Sequence, residues 1–197
     1  KVGLISTIEN RVSEKTTTAT HTTPDAESIN LLIQQMVNAG CDYAFMEVSS
    51  HAVAQRRIAG LQFAGGVFTN ITHEHLDYHK TFRAYIEAKK LFFDNLPKDA
   101  FALINADDKR GTVMLQNTKA KPYKFALRKS ADFKARMVDN SLTGLQLQIE
   151  GLDFHARLIG EFNAYNLISA YAVAMLLGQD RQEVLRVLSN LKAAEGR

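Results

Sequence analysis

The segment that decides the fold is Tyr43-Ala-Phe-Met-Glu-Val-Ser-Ser-His51. Its first six residues form a mostly apolar run, which predicts a β-strand over residues 43–48 that is covered on both faces. The polar residues that follow stand where the strand ends, and open parallel sheets bind ligands beyond the carboxyl ends of their strands. Glu47 is the most informative of them, because a carboxylate in an apolar strand needs a cation, a metal or several hydrogen-bond donors.

Similar apolar runs alternate with amphipathic ones on either side of this segment. The predicted strands cover residues 2–5, 65–71 and 101–106, and helices are predicted between Thr23 and Gly40 and over residues 82–96. In the earlier helix we expect Thr23 as N-cap and Pro24 in the first helical position, with Gly40 ending the run. This alternation predicts an α/β fold, in which a mostly parallel sheet is flanked by helices.

The second half of the chain carries a different pattern. Apolar and polar residues alternate over 145–149 and again over 154–158, which predicts a small antiparallel β-hairpin. Helices are predicted over residues 163–177 and from Asp180 onward, where Asp180 and Glu183 form a start that resembles a capping box. Because no linker or internal repeat interrupts the chain, we expect residues 1–197 to be one domain.

Composition excludes several classes of protein. The 197 residues are 46% hydrophobic, with 24 Lys and Arg against 21 Asp and Glu, so the formal net charge is only +3. These values are typical of a globular domain and do not favour nucleic-acid binding, which normally needs a larger basic excess. No apolar run approaches the roughly 18 residues of a membrane-spanning helix. The single cysteine, Cys41, excludes an intrachain disulfide and is expected to be a buried small hydrophobe; a reducing compartment such as the cytoplasm is compatible with it.

The segment His73-Glu-His-Leu-Asp-Tyr-His79 is the densest group of potential metal ligands. It is similar to the H-x-H-x-D-H pattern of metallohydrolases, except that one extra residue separates Asp77 from His79. A polar loop whose histidines cap or form hydrogen bonds is the alternative interpretation. Imidazoles favour zinc, whereas a site rich in carboxylates favours magnesium.

Lys89 is a second candidate, identified by its position in the predicted helix over residues 82–96. At about 100° per residue it falls near the middle of the apolar stripe, while Lys90 falls at the edge of that stripe. A lysine there either extends its amine to solvent or is held in a partly buried site. In the buried case part of the amine is neutral and able to react as a nucleophile.

Several motifs, taken together and in order, resemble those of the Mur ligase family, and within it the tripeptide synthetases. The resemblance covers nearly the whole chain. Its segments are His21-Thr-Thr-Pro24, Met46-Glu-Val-Ser-Ser-His51 with Gln55 and Arg57, residues 69–79, Glu87-Ala-Lys89, Ile104-Asn-Ala-Asp-Asp108 and Gly160-Glu-Phe-Asn-Ala-Tyr-Asn166. The resemblance implies a P-loop NTPase-like central ATP-binding domain. It also implies an ATP-dependent amide ligase that adds a diamino acid, meso-diaminopimelate or L-lysine, to UDP-MurNAc-L-Ala-D-Glu through an acyl phosphate.

The resemblance also assigns roles to individual residues. Glu47, His75 and Lys89 match catalytic positions that hold Mg²⁺, with Lys89 carbamylated by carbon dioxide. Positions that match the site of the UDP-MurNAc-dipeptide are His21, Thr22, Thr23, Ser49, Gln55 and Arg57. Positions that match the ATP site are Asn70, Phe162, Asn163 and Asn166.

The sequence departs from the family in what it lacks. Gly-Lys does not occur in it, so the phosphate-binding P-loop is missing. The domains that bind the uridine nucleotide and the incoming amino acid are expected to precede and follow the chain, as partners within the same protein. We therefore expect the fragment alone to be inactive. Two alternatives remain: a metallohydrolase that uses His73, His75, Asp77 and His79, and a non-catalytic interaction domain.

Overall fold

The computed structural model describes residues 1–72 and 76–191, and for Leu76 and Asp77 the backbone only. The described residues form two compact units. The first comprises residues 1–62 and those described within 73–92, and the second comprises residues 63–72 and those described from 93 onward. The expectation that the chain is a single domain stays a prediction.

The first unit contains a four-stranded sheet in the order β3-β2-β1-β4. Only the β1–β4 pair is parallel, with Ile5 opposite Met46, and the hairpin β2–β3 extends the sheet in antiparallel fashion. The elements are β1 (Val2–Ile5), β2 (Glu9–Val12), β3 (Lys15–Thr18), α1 (Ala26–Asn38), β4 (Tyr43–Met46), α2 (Ser50–Ala54), α3 (Leu76–His79) and α4 (Phe82–Asp94).

Helix α1 packs on one face of this sheet. Ile5, Ile29 and Met36 form the buried cluster between them. Gly3 allows the close approach, because a Cβ at this position would lie 2.2 Å from Met36 Sδ. Gly40 adopts a positive φ of 71° just after the helix, as expected of a residue that ends it.

Two details of this unit differ from the sequence-based expectations. The N-cap of α1 is Asp25 and not Thr23, because the Asp25 carboxylate accepts the Ser28 N–H at 2.9 Å. Strand β4 is not covered on both faces, since Tyr43 and Phe45 are exposed. Strand β4 is at the edge of the four-stranded sheet. Tyr43 and Phe45 lie on the opposite face of this strand from Met46, which packs against the cluster under α1.

The second unit contains a six-stranded mixed sheet in the order β10-β9-β8-β7-β6-β5. Strands β5 to β8 run parallel, and β8, β9 and β10 form an antiparallel extension. Its elements are β5 (Gly65–Phe68), β6 (Phe101–Asn105), α5 (Gly111–Met114), β7 (Lys121–Ala126), β8 (Phe133–Ser141), β9 (Gly144–Ile149), β10 (Leu152–Ala156), α6 (Glu161–Leu176) and α7 (Arg181–Ser189).

The fold class is therefore confirmed as α/β with a parallel-rich sheet flanked by helices, and the predicted hairpin is β9–β10. Helix α6 is the centre of the larger core, where Leu167, Ile168 and Tyr171 are buried against the sheet. Cys41 is half-buried and packs against the smaller cluster. No helix in the described ranges is both long enough and apolar enough to cross a membrane.

Candidate functional site

Glu47 lies at the carboxyl end of β4, beside the carboxyl end of β1. Its N–H continues the parallel ladder by donating to Ile5 O at 2.9 Å. Its carboxylate accepts hydrogen bonds from both the backbone N–H, at 3.0 Å, and the hydroxyl of Thr7. The Thr7 hydroxyl also lies 3.2 Å from that of Thr22. The carboxylate thus obtains the donors that its place in an apolar strand requires.

Thr23 and Ser49 form the next part of this site. Thr23 is 1% exposed, and its hydroxyl donates to Glu47 O at 2.7 Å and accepts the Ser49 N–H at 3.0 Å. Ser49 in turn caps α2 by accepting the Ala52 N–H at 3.2 Å. The two hydroxyls therefore fix the backbone around Glu47.

Arg57 and Gln55 extend the site from the end of α2. Arg57 Nη1 donates to Thr23 O at 2.7 Å, and Arg57 Nε and Nη2 donate to Gln55 Oε1 at 2.9 and 2.6 Å. Arg56, between them, has a positive φ of 57° where α2 ends. The half-buried guanidinium is consequently held from two sides.

A cluster of rings surrounds the half-buried Lys89. Lys89 Nζ lies 5.4 Å from the ring centroid of Tyr85, one helical turn earlier on α4. His79 stacks on Tyr85 with centroids 5.3 Å apart, and its Nε2 lies 2.8 Å from Ser50 Oγ. Ser50 and Tyr85 are almost completely buried, at 2% and 4% exposure.

These contacts connect Lys89 to Glu47 within the first unit. The connection runs from Lys89 through Tyr85 and His79 to Ser50, whose neighbour Ser49 bonds Thr23, which bonds Glu47. His75, the third predicted metal ligand, lies outside the described residues. His21 is exposed, with Nδ1 3.2 Å from Thr20 Oγ1. The three-ligand metal site therefore remains a prediction.

The histidine-rich segment is only partly described. His73 and His75 lie outside the described residues, and so does the side chain of Asp77. Among the described side chains, those of residues 1–72 and 78–191, no three His, Cys, Asp or Glu come together as metal ligands do. His79 contacts Ser50 and aromatic rings, which is the role of a hydrogen-bonding histidine.

The predicted nucleotide residues belong to the second unit. Phe162 is 68% exposed on the first turn of α6, next to Asn163, whose Nδ2 donates to Ile159 O at 2.8 Å. Asn166, one turn later, donates from Nδ2 to Asn163 Oδ1 at 3.3 Å. One end of α6 therefore presents an aromatic ring and two amides.

Asn70 is exposed just after β5, and the backbone on both sides of it is anchored. Asn105 Nδ2 donates to Thr69 O at 2.9 Å, and Asp108 Oδ2 accepts the Ile71 N–H at 3.1 Å. The segment Asn105-Ala-Asp-Asp108, identified from the sequence as a polar strand end, thus holds Asn70 in place.

Asp107 links the same strand end to α6. Its carboxylate accepts the N–H groups of Leu127, Arg128 and Lys129 at 2.8–2.9 Å and the Tyr165 hydroxyl at 3.0 Å. Burial acts to raise the pKa of Asp107, but these four hydrogen bonds outweigh it and lower the pKa below its ordinary value. Burial, reinforced by the bond to Asp107, raises the pKa of Tyr165 to about 12.

Sequence reasoning did not single out Thr7, Tyr78 or Tyr85. Thr7 could have been found, because it lies two residues after β1 and Glu47 lies one residue after β4, and parallel pairing brings these two strand ends together. The two tyrosines carried no comparable signal. Tyr78 bonds Gln55, which is 23 residues away, and Tyr85 stacks on His79 of the preceding helix, and no sequence pattern indicates either contact.

The architecture is α/β, with polar residues at the carboxyl ends of parallel strands, which is where open parallel sheets generally bind ligands. Residues 1–174 match the family model described as the Mur ligase middle domain. The chain belongs to the Mur ligase family.

Its relatives are more specific. The chain is 61% identical over its whole length to a UDP-N-acetylmuramoyl-L-alanyl-D-glutamate–2,6-diaminopimelate ligase of Cytophaga hutchinsonii, and 53% identical to the ligase of the same name from Parabacteroides distasonis. It spans 40% of the length of each of these two proteins. These similarities do not support the metallohydrolase alternative.

Solved structures agree with this assignment. A structure of a UDP-N-acetylmuramoyl-L-alanyl-D-glutamate–2,6-diaminopimelate ligase superposes with a TM-score of 0.89 at 29% identity, over all of this chain and 42% of that one. MurF from Acinetobacter baumannii has a TM-score of 0.74 at 18% identity, over 86% of this chain and 38% of that one. The second similarity concerns the fold alone.

Proposed function

We propose that the full-length protein containing this chain is an ATP-dependent amide ligase. It joins 2,6-diaminopimelate to UDP-MurNAc-L-Ala-D-Glu in bacterial peptidoglycan synthesis, in the cytoplasm. The observation that carries the proposal is identity of 61% and 53%, along the whole chain, to ligases named for diaminopimelate. The same observation favours diaminopimelate over L-lysine, two substrates that the sequence alone does not distinguish.

The chemistry explains why ATP is needed. A carboxylate is a poor electrophile, so its oxygen first attacks the γ-phosphorus of ATP, giving an acyl phosphate and ADP. The neutral amine of the diamino acid then attacks the acyl carbon and loses a proton. The C–O bond to phosphate breaks, and inorganic phosphate leaves with the electron pair.

The residues around Glu47 are suited to Mg²⁺. A carboxylate with the hydroxyls of Thr7, Thr22 and Thr23 nearby supplies oxygen donors, which this ion prefers. Glu47, His75 and carbamylated Lys89 would hold the ion, and bound Mg²⁺ neutralises charge on the phosphates. The carbamate forms when the neutral Lys89 amine attacks carbon dioxide and releases one proton. The positively charged ammonium of lysine is thus replaced by a negatively charged carbamate.

The acceptor substrate is assigned to the polar residues of the first unit. Arg57 is the anchor, because a guanidinium binds carboxylate or phosphate through parallel N–H groups. His21, Thr22, Thr23, Ser49 and Gln55 complete the proposed set. In the second unit, Phe162, Asn163 and Asn166 on α6, together with Asn70, are proposed to contact ATP.

The test uses the full-length protein with UDP-MurNAc-L-Ala-D-Glu, ATP, Mg²⁺ and either meso-diaminopimelate or L-lysine. We expect mass spectrometry to detect the diaminopimelate tripeptide, with one ADP and one phosphate released per product. Efficient addition of L-lysine in place of diaminopimelate would overturn the substrate assignment. ATP-independent hydrolysis of the UDP-linked substrate would overturn the reaction class.

A further inference from the structure

The side chain of Gln55 is bonded at both ends of its amide. Oε1 accepts from Arg57 Nε and Nη2, and Nε2 donates to Tyr78 Oη at 3.2 Å. An amide has one acceptor end and one donor end, so the guanidinium must face Oε1. The Tyr78 hydroxyl then fixes the far end of an otherwise exposed and flexible side chain.

Arg57 retains hydrogen-bonding capacity in this arrangement. A guanidinium has five N–H groups, and three of them bond to Gln55 and Thr23 O among the described residues. One N–H on Nη1 and one on Nη2 remain for a ligand. Two such donors match the two oxygens of a carboxylate or phosphate, provided that the guanidinium plane does not rotate.

Tyr78 is itself held in place by ring contacts. Its ring centroid lies 4.1 Å from that of His51 on α2, and 4.9 Å from that of His79, which it meets edge-on. His79 is fixed by its bond to the buried Ser50. The Tyr78 hydroxyl is therefore a fixed point, even though the residue is 40% exposed.

We infer that Tyr78 is a positioning residue for substrate binding: its hydroxyl fixes Gln55, and Gln55 fixes the Arg57 guanidinium that binds an anionic group of the UDP-linked acceptor. The inference rests on the proposed function, in which Arg57 contacts that substrate. Tyr78 acts through the other two side chains and has no contact with the reacting atoms.

The test is a kinetic comparison of Tyr78→Phe with Tyr43→Phe in the full-length protein. Tyr43 is a matched control, since it belongs to the same unit and is 38% exposed. Loss of one hydrogen bond that orders Arg57 should raise KM for UDP-MurNAc-L-Ala-D-Glu about 3- to 10-fold. The kcat and the KM for ATP should stay at the wild-type values, and Tyr43→Phe should change none of the three.

A double-mutant cycle separates positioning from packing. If Tyr78 acts through Gln55, then Tyr78→Phe should raise KM in the wild type but add nothing in a Gln55→Ala background. An equal effect in both backgrounds would overturn the inference, and so would a loss confined to kcat or to thermal stability.

A readout independent of catalysis keeps this inference separate from the proposed function. In ¹⁵N-arginine-labelled full-length protein, the Arg57 Nε–H should exchange with water several-fold faster in both Tyr78→Phe and Gln55→Ala. Its exchange should be unchanged in Tyr43→Phe. If the wild type shows no ligase activity but this exchange pattern appears, the proposed function fails and the positioning of Arg57 by Tyr78 stands. If the pattern is absent, the inference fails whether or not the protein is a ligase.

Discussion

Lys89 illustrates how one residue combines local pattern and chemistry. Its place in an apolar stripe left two options open, and in the structure the residue is half-buried, with its amine over the face of Tyr85. A cation near an aromatic face is stabilised by about 0.5–2 kcal/mol, so the ring holds the side chain within the site. The side chain therefore does not extend fully into bulk water, and its role in the metal site stays a prediction.

Replacing Lys89 by Arg should abolish the proposed carbamate while keeping a positive charge. A guanidinium stays protonated and does not add carbon dioxide, so the anion that helps hold Mg²⁺ cannot form. We expect kcat of the full-length ligase to fall about 100-fold or more. Lys90→Arg, at the neighbouring position on α4, should retain near-normal kcat. Wild-type turnover in Lys89→Arg would remove Lys89 from the metal site.

Asp107 and Tyr165 form a coupled pair whose pKa values move in opposite directions. Burial acts to raise the pKa of Asp107, but three backbone N–H groups, with the Tyr165 hydroxyl as a smaller contributor, lower it. Burial first, and then the bond to Asp107, raises the pKa of Tyr165 to about 12. The bond is a charge-assisted one, of about 1.5–3 kcal/mol in typical cases. It ties the carboxyl end of β6 to the helix that carries the proposed nucleotide residues.

The stabilisation from Tyr165 should disappear in alkaline solution. Its folded pKa lies above the ordinary value of about 10, so its contribution is complete below pH 10 and is lost as the pH rises toward 12. Urea unfolding should show Tyr165→Phe less stable than the wild type at pH 8, with the difference shrinking at pH 11. In an Asp107→Asn background the effect of Tyr165→Phe should be smaller at every pH. A difference that does not change with pH would contradict the assignment.

At the scale of elements, the start of α1 can be tested directly. Asp25 accepts the Ser28 N–H and hydroxyl at 2.9 and 2.7 Å, so it satisfies a helix donor that would otherwise lack a partner. Asp25→Ala should cost about 1 kcal/mol of unfolding free energy, while Asp25→Asn, which can still cap, should cost only a few tenths. Thermal unfolding measures both. Equal destabilisation by the two variants would exclude the capping role.

In the second unit, strands with many buried residues were predicted from the sequence, whereas strands with few buried residues were not. The β9–β10 hairpin carries strict apolar alternation, with Leu145, Leu147 and Ile149 buried. Strand β8 has a single buried residue, Ala135, and β7 begins with Lys-Pro and buries only its last two residues. Strands β7 and β8 are stabilised by pairing with their neighbouring strands, and this pairing produces no periodic pattern in the local sequence.

The same distinction applies to the candidate site. Glu47 was identifiable because a charge interrupts an apolar strand, and Asn105 to Asp108 because polar residues end another. The Gln55–Tyr78 bond joins residues 23 positions apart, and the Thr7–Glu47 bond joins residues 40 apart. Such contacts come from tertiary folding, so a single sequence cannot reveal them.

At the scale of the whole molecule, the residues proposed to bind the acceptor and those proposed to bind ATP lie in different compact units. Glu47, Thr23, Arg57 and Lys89 belong to the first unit, whereas Asn70 and the residues on α6 belong to the second. Each unit has its own sheet and its own buried cluster. If the proposed roles hold, mutation of Arg57 should weaken binding of the acceptor, and mutation of the residues on α6 should weaken binding of the nucleotide.

The last prediction concerns the 197 residues expressed by themselves. They span 40% of the length of two diaminopimelate ligases to which they are 61% and 53% identical, and they contain no Gly-Lys pair to cradle ATP phosphates. The side chains assigned to ATP are one aromatic ring and three amides, which supply no positive charge for a triphosphate. We expect calorimetry to give a Kd for ATP weaker than about 1 mM. We also expect no tripeptide from the isolated chain under conditions in which the full-length protein forms it. Tripeptide synthesis by the purified chain would show that residues 1–197 hold all three substrates without further parts of the protein.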